Sequence, residues 1–284
     1  MGADYRKKIS VFFKKLCYNF SMAKLAIQIK DKNDEILAEK AFCEKNFLVY
    51  QSEYEEGDKI EVLASEYPCY AVISLDDTMA ESLIYLTSTF VFTIPFAETK
   101  KSYNPKSFSS NRHYITARLA TEKEISSYRD LAFNPYDNHD NSSAFPHAFA
   151  NVETRGEAVF AARNAIDGLF ANDMHGEWPW TSWGINRNPE AEFHLDFGRK
   201  VKINRLVITL RADFPHDACW KSGRVTFSDG SIIDLNFKES GEAQVFDFVE
   251  KEINSLKFDK LIRYDEHSPF PALTQFQVFG WEVL

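Results

Sequence analysis

The sequence predicts an all-β protein made of two β-sandwich domains behind a short basic N-terminal helix. Three observations carry that prediction. At 284 residues the chain is too long for one ordinary sandwich and comfortable for two. Aromatic residues make up 15% of it, with 25 Phe and 12 Tyr, side chains that suit pleated, half-buried surfaces better than helix bundles. Short runs of apolar alternation recur along its length, separated by turn residues.

Residues 4–20 place Tyr5, Ile9, Phe12, Leu16 and Phe20 near one helical face, with Lys7, Lys8, Lys14 and Lys15 mostly elsewhere. Such a basic amphipathic helix (extension 1–21) suits contact with an anionic membrane, or packing on the protein's own body. Residues 1–30 hold seven Lys/Arg against one Asp, which leaves about −15 on the remainder of a chain of net charge −9. An acidic body excludes general nucleic-acid binding, which needs a basic stripe. Lys14 and Lys15 interrupt the apolar run that a secretory signal requires, and no apolar stretch approaches the ~20 residues of a membrane-spanning helix. The expected location is therefore cytoplasmic. Cys17, Cys43, Cys69 and Cys219 form no CxxC pair and read as reduced thiols.

The first domain is expected over 22–135. Leu25–Ile29 alternates and Asp31–Glu35 is a turn cluster; Phe47–Tyr50, Lys59–Leu63, Tyr70–Leu75, Ser82–Thr87, Phe90–Ile94 and Tyr114–Leu119 follow as strands. Its aromatic residues read as core, and no catalytic constellation is visible. Thr121 followed by Glu124 is a capping box that starts a short helix. Asn134–Pro146, rich in Asn, Asp, Ser and Pro, marks entry into a second domain over 136–284.

The second half changes character. Phe193, Leu195 and Phe197 alternate with His194 and Asp196, so one face of that strand is buried. Val225–Phe227, the turn Ser228–Ser231 and Ile232–Phe237 read as a hairpin. Between such runs, Pro- or Gly-punctuated stretches concentrate His, Asp, Glu, Arg and Trp, and loops on a rigid scaffold are where binding sites are usually built.

In order, Ala162-Arg-Asn-Ala-Ile-Asp-Gly168, Trp183, Ala191-Glu-Phe-His-Leu-Asp-Phe-Gly198, Val201–Ile208 and the closing Gln275-Phe-Gln-Val-Phe-Gly-Trp281 resemble the discoidin, or coagulation-factor type C, domain and its galactose-binding-like relatives among carbohydrate-binding modules. The resemblance covers about 140 residues and is fairly specific for fold, weakly so for ligand. It implies a jelly-roll sandwich binding carbohydrate at the loops of one end. It also implies a structural calcium ion after the Ile-Asp-Gly motif, where Asp167, Asn172 and Asp173 match in kind. Two departures stand against it: the loop is lengthened by His175–Trp180, and Gln275 and Gln277 stand where relatives often supply a Glu.

Sugar recognition pairs flat aromatic rings with charged or amide groups that grip adjacent hydroxyls. Trp178, Trp180 and Trp220 are the candidate platforms, Trp183 being matched to the family's core Trp. His175, Glu177, Arg211, Asp213, His216 and Asp217 are the candidate polar partners, although Asp213–Asp217 equally fits a self-bonded turn. Glu153 and Arg155, two apart on an extended segment, are expected to form a structural ion pair. Convergence of His175, His216 and Asp217 would permit acid–base or metal-assisted work on a sugar, although no HExxH, GxSxG or phosphate-loop motif occurs. A flat, exposed Trp178–Trp183 loop would instead favour a protein-interaction adaptor.

Overall fold

The computed structural model describes residues 23–264 and 268–283. The helix expected at 4–20 lies outside the described residues. Two hydrophobic cores organise the rest.

The first sandwich has eight strands of its own: β1 (Leu25–Lys30), β2 (Ile36–Cys43), β3 (Lys45–Tyr50), β4 (Lys59–Ala64), β5 (Cys69–Ser74), β6 (Ser82–Leu86), β7 (Phe90–Thr93) and β8 (His113–Leu119). One sheet runs β2-β1-β4-β7; the other contains β6-β5-β8-β3. Alternation does the work expected of it: in β3, Asn46, Leu48 and Tyr50 are buried while Lys45, Phe47 and Val49 face out. Ile27, Ile60 and Phe92 from one sheet meet Ile73, Ile84 and Ile115 from the other. β2 was not visible in the sequence because almost all of it is exposed, so it carries no buried stripe. Thr121 caps the helix α2 (Glu122–Ser126), which follows the one-turn α1 (Ala97–Lys100): its side chain accepts from Glu124 N, and the Glu124 carboxylate takes the Thr121 amide at 2.8 Å.

The chain then crosses between the sandwiches three times. β9 (Arg129–Asp130) pairs with Gly280 and Phe279 near the end of the second half; Tyr136 is buried back in the first core; β10 (Ala144–Phe145) pairs with Leu86 and Tyr85 of β6. β11 (His147–Ala150) then enters the second sandwich. The polar Asn134–Pro146 segment is thus ordered: Asn134 donates to the Pro146 carbonyl at 2.8 Å, and the buried Asp137 carboxylate accepts from Asn141, His147 and the Ala148 amide at 2.7–2.8 Å.

The second sandwich is a jelly-roll-type array ordered β12 (Trp183–Gly184), β17 (Ala272–Glu282), β13 (Phe193–Leu210), β16 (Gln244–Arg263), β14 (Trp220–Phe227) and β15 (Ile232–Asn236), with β11 added on β13. β13 holds it together. Its first half pairs with β11 and β16, its second with β17 and β16, and the register shifts between Asp196 and Val201. Gly198 sits in that bend at φ 63°, and a Cβ there would meet the Phe145 ring at 2.3 Å, so only glycine fits. The expected hairpin is present, Thr226 facing Ile232.

Glu282, at the end of β17, joins the two halves. Its fully buried carboxylate accepts from Arg199 Nε at 2.9 Å and Nη2 at 2.5 Å, from Arg129 Nη2, and from the Tyr70 hydroxyl of the first sandwich at 2.9 Å. Burial alone would lift its carboxyl; Arg199 and Arg129 outweigh this and hold it below the usual glutamate range.

Candidate functional site

An open pocket of about 130 Å³ lies among the loops at one end of the second sandwich. Its walls come from Thr154-Arg155, Gly184–Arg187, the Arg211–Asp217 turn and Phe270–Ala272, with Phe160 behind. Arg155, Asn186 and Arg187 all hold left-handed backbone, at φ 54°, 48° and 61°, which turns these loops sharply. Phe270 offers an aromatic surface, with the Arg187 guanidinium 4.3 Å from its ring centroid.

Arg211 is the anchor. It follows β13, is almost fully buried, and gives Nη2 to Asp217 Oδ2 at 2.6 Å and to the Phe270 carbonyl. Its Nε is buried with no hydrogen-bond partner. A polar group in that state carries a desolvation cost. Asp217 is fixed from its other side by the Ser268 hydroxyl at 2.8 Å.

The Asp213–Asp217 turn is both things the sequence allowed. It is self-bonded, Asp217 N donating to Asp213 O at 2.8 Å, and it gathers side chains from separate loops. His175 Nδ1 lies 2.6 Å from Asp213 Oδ2, and the His175 and His216 rings stack at 4.8 Å. Had the turn been extended, the neighbours His216 and Asp217 would point apart; here His216 Nδ1 is 3.4 Å from Asp217 Oδ2.

The structure therefore brings together His175, Arg211, Asp213, His216 and Asp217. It does not bring the aromatic candidates there. Trp220 is a correction: it is fully buried against Trp183 and edge-on to Phe258, part of the core. Trp178 and Trp180 sit on the side facing the first sandwich. Trp178 lines a separate cavity with Tyr103, Phe133 and Arg163, and Trp180 donates its indole N–H to Asp173 at 2.9 Å. Glu177 lies 4.0 Å from Lys101 of the first half. The Trp178–Trp183 loop is consequently no flat exposed patch.

Glu153 and Arg155 do not pair as expected, because Thr154–Gly156 is a 3-10 turn and not a strand. Glu153 binds His139 at 2.7 Å and the Ala162 amide at 2.8 Å, while Arg155 takes Glu157 at 2.5 and 2.6 Å. Arg155, Arg187 and Phe270 were missed as site residues. The polar turn Ile185-Asn186-Arg187-Asn188 was the available signal for one of them; for Phe270 there was none beyond its Pro-flanked loop.

Asn172 donates its amide to the Leu210 and Gly241 carbonyls at 2.7 and 2.9 Å, and Asp173 Oδ1 accepts from Trp180. Asp167 has an open position: Oδ1 accepts from Gln275 Nε2 and the Leu169 amide, Oδ2 is buried without a partner, and burial pushes the carboxyl up to about 6.

No protein-family model and no curated protein matches the chain. Among solved structures, it is similar to a chitosan-binding module of a Paenibacillus chitosanase/glucanase, at 19% identity and a TM-score of 0.36, covering 54% of this chain and all of that one. A family 32 carbohydrate-binding module from Clostridium perfringens, solved with galactose, gives 17% identity and a TM-score of 0.36 over 46% of this chain and 91% of that one. A fucose-binding module from Streptococcus pneumoniae gives 12% identity and a TM-score of 0.39 over 57% and 99%.

Proposed function

We propose that the protein binds carbohydrate in the pocket between Arg155, Arg187, the Arg211–Asp217 turn and Phe270. The observation that carries the reading is the pocket lining: the Arg211 guanidinium, fixed by Asp217 and the Phe270 carbonyl, stands with His175, His216 and Asp217 beside an aromatic ring. Fixed polar groups beside an apolar surface suit the hydroxyls and C–H face of a pyranose. Phe270 takes the platform role that Trp178, Trp180 and Trp220 were expected to play.

The test is a thermal-shift screen of the full chain against monosaccharides and glycans, because a ligand of the native state raises the melting temperature. A sugar-specific rise that Phe270→Ala or Arg187→Ala abolishes supports the reading. Silence across the panel from the folded protein removes it. A sugar-active enzyme is the second reading, favoured by the 2.6 Å His175–Asp213 contact; its test is turnover of aryl glycosides that His175→Ala abolishes.

The calcium expectation is retained at Asp167 only. Its unpartnered oxygen is a hard donor whose buried charge an ion would neutralise, while the neighbouring Gln275 carboxamide stays engaged, Oε1 accepting from the Gly168 amide and Nε2 donating to the Asn164 carbonyl and to Asp167.

A further inference from the structure

Four ligand-type atoms crowd one spot at the rim of the pocket. His175 Nδ1 lies 2.6 Å from Asp213 Oδ2 and 3.5 Å from Asp217 Oδ2. His216 Nδ1 lies 3.7 and 3.4 Å from the same two oxygens. All four atoms are within 4.8 Å of one another. In a tetrahedral zinc site with bonds of roughly 2.0–2.1 Å, neighbouring donor atoms stand about 3.3–3.4 Å apart. Three of the four nitrogen–oxygen separations are already close to that edge. The fourth is a hydrogen-bond length, at which a proton bridges His175 and Asp213.

Charge neutralisation alone does not account for the arrangement. Asp217 already has a buried cation in Arg211 and a hydroxyl in Ser268, so it has no need of imidazoles. His216 has a largely exposed side chain, yet it stacks on His175 at 4.8 Å and both rings turn Nδ1 to the same pair of carboxylates. Arg211 and Ser268 hold Asp217 in the way that outer partners orient metal-binding carboxylates.

The geometry points to a site for one divalent transition metal of the zinc class, held by His175, His216, Asp213 and Asp217. Two imidazoles and two carboxylates suit zinc, nickel or cobalt better than magnesium, and the set contains no thiolate of the kind that selects copper(I). His175 is delivered by the loop after Asn172, and the other three ligands by one tight turn, so the site closes that loop onto the sandwich. Entry of the ion replaces the His175–Asp213 hydrogen bond with two metal bonds, His175 then carrying its ring proton on Nε2.

The test titrates the full chain, stripped with chelator and returned to chelator-free buffer, with zinc and separately with cobalt(II). One equivalent of each is expected to bind, with cobalt giving visible absorption bands. His216→Ala removes a largely exposed side chain and weakens zinc binding by roughly tenfold or more; His175→Ala does the same. His139→Ala, which removes an exposed histidine paired with Glu153, leaves binding unchanged. Absence of saturable zinc binding, or binding that survives both His216→Ala and His175→Ala, overturns the proposal. Zinc is the only probe and no sugar is present, so the result is independent of the carbohydrate reading.

Discussion

Replacing Glu282 by Gln tests whether the two sandwiches are held together by buried charge. The carboxylate receives two guanidiniums and a phenol from three separate parts of the chain, and the Arg199 side chain is itself only 7% exposed. The carboxamide keeps the shape and one acceptor oxygen but loses the charge, so two cations are left facing each other. Breaking one partner of a buried ionic group costs about 3–5 kcal/mol, and the retained shape places Glu282→Gln near 3 kcal/mol. All five tryptophans lie beyond residue 177, so fluorescence follows chiefly the second sandwich and its contact with the first, while far-UV circular dichroism follows both. In urea, the two signals of the unaltered protein are expected to change together; in Glu282→Gln the midpoint falls and the signals separate. The depressed carboxyl sets the pH sign: its stabilisation is present above the usual glutamate value and is lost as pH falls through the folded value, so the variant's deficit shrinks in acid. A loss under about 1 kcal/mol, or separated transitions already in the unaltered protein, would refute the argument.

Three further outcomes follow from the same geometry. Burial pushes Asp130 up to about 6, so this group costs stability as pH rises from its unfolded value to about 6; Asp130→Asn should add roughly 1–3 kcal/mol at pH 7.5 and nothing at pH 3.5, read by urea titration at both. Trp220→Ala should cost about 3–5 kcal/mol by emptying the core, whereas Phe270→Ala, at the pocket wall, should cost under about 1 kcal/mol while removing any sugar response. Calcium returned to chelator-treated protein should raise the melting temperature, and Asp167→Asn should abolish that rise without altering the zinc titration; an unchanged melting temperature on adding calcium rules the ion out.

The parts of the fold that were legible in the sequence are those where burial leaves a periodic trace. Phe193, Leu195 and Phe197, the Thr226–Ile232 hairpin and the Thr121 cap are local patterns, and each stands where it was read. β2 left no trace because neither of its faces is covered. β9 and β10, two residues each, are too short to show any period, and their partners lie about 150 and 60 positions away. At the site, the polar cluster could be read because His175, Arg211, Asp213, His216 and Asp217 come from two loops dense in chemistry. The aromatic partner could not, since the size of a tryptophan says nothing of whether it fills the core, as Trp220 does, or lines a cavity, as Trp178 does. Arg155 and Arg187 reach the same pocket through left-handed turns at these ordinary residues, which a periodic pattern does not show.

The repeated crossing between residues 129 and 150 has a consequence for how the molecule is assembled. β9 pairs with strand residues 279 and 280, which are synthesised about 150 residues after it, whereas β10 pairs with β6, which has already emerged. During synthesis the first sandwich can close over β10 while Arg129 and Asp130 still await their partner. Its seam is completed only when β17 arrives, bringing Glu282 to Arg129 and Tyr70. Residues 279–282 thus act as a latch on the first half.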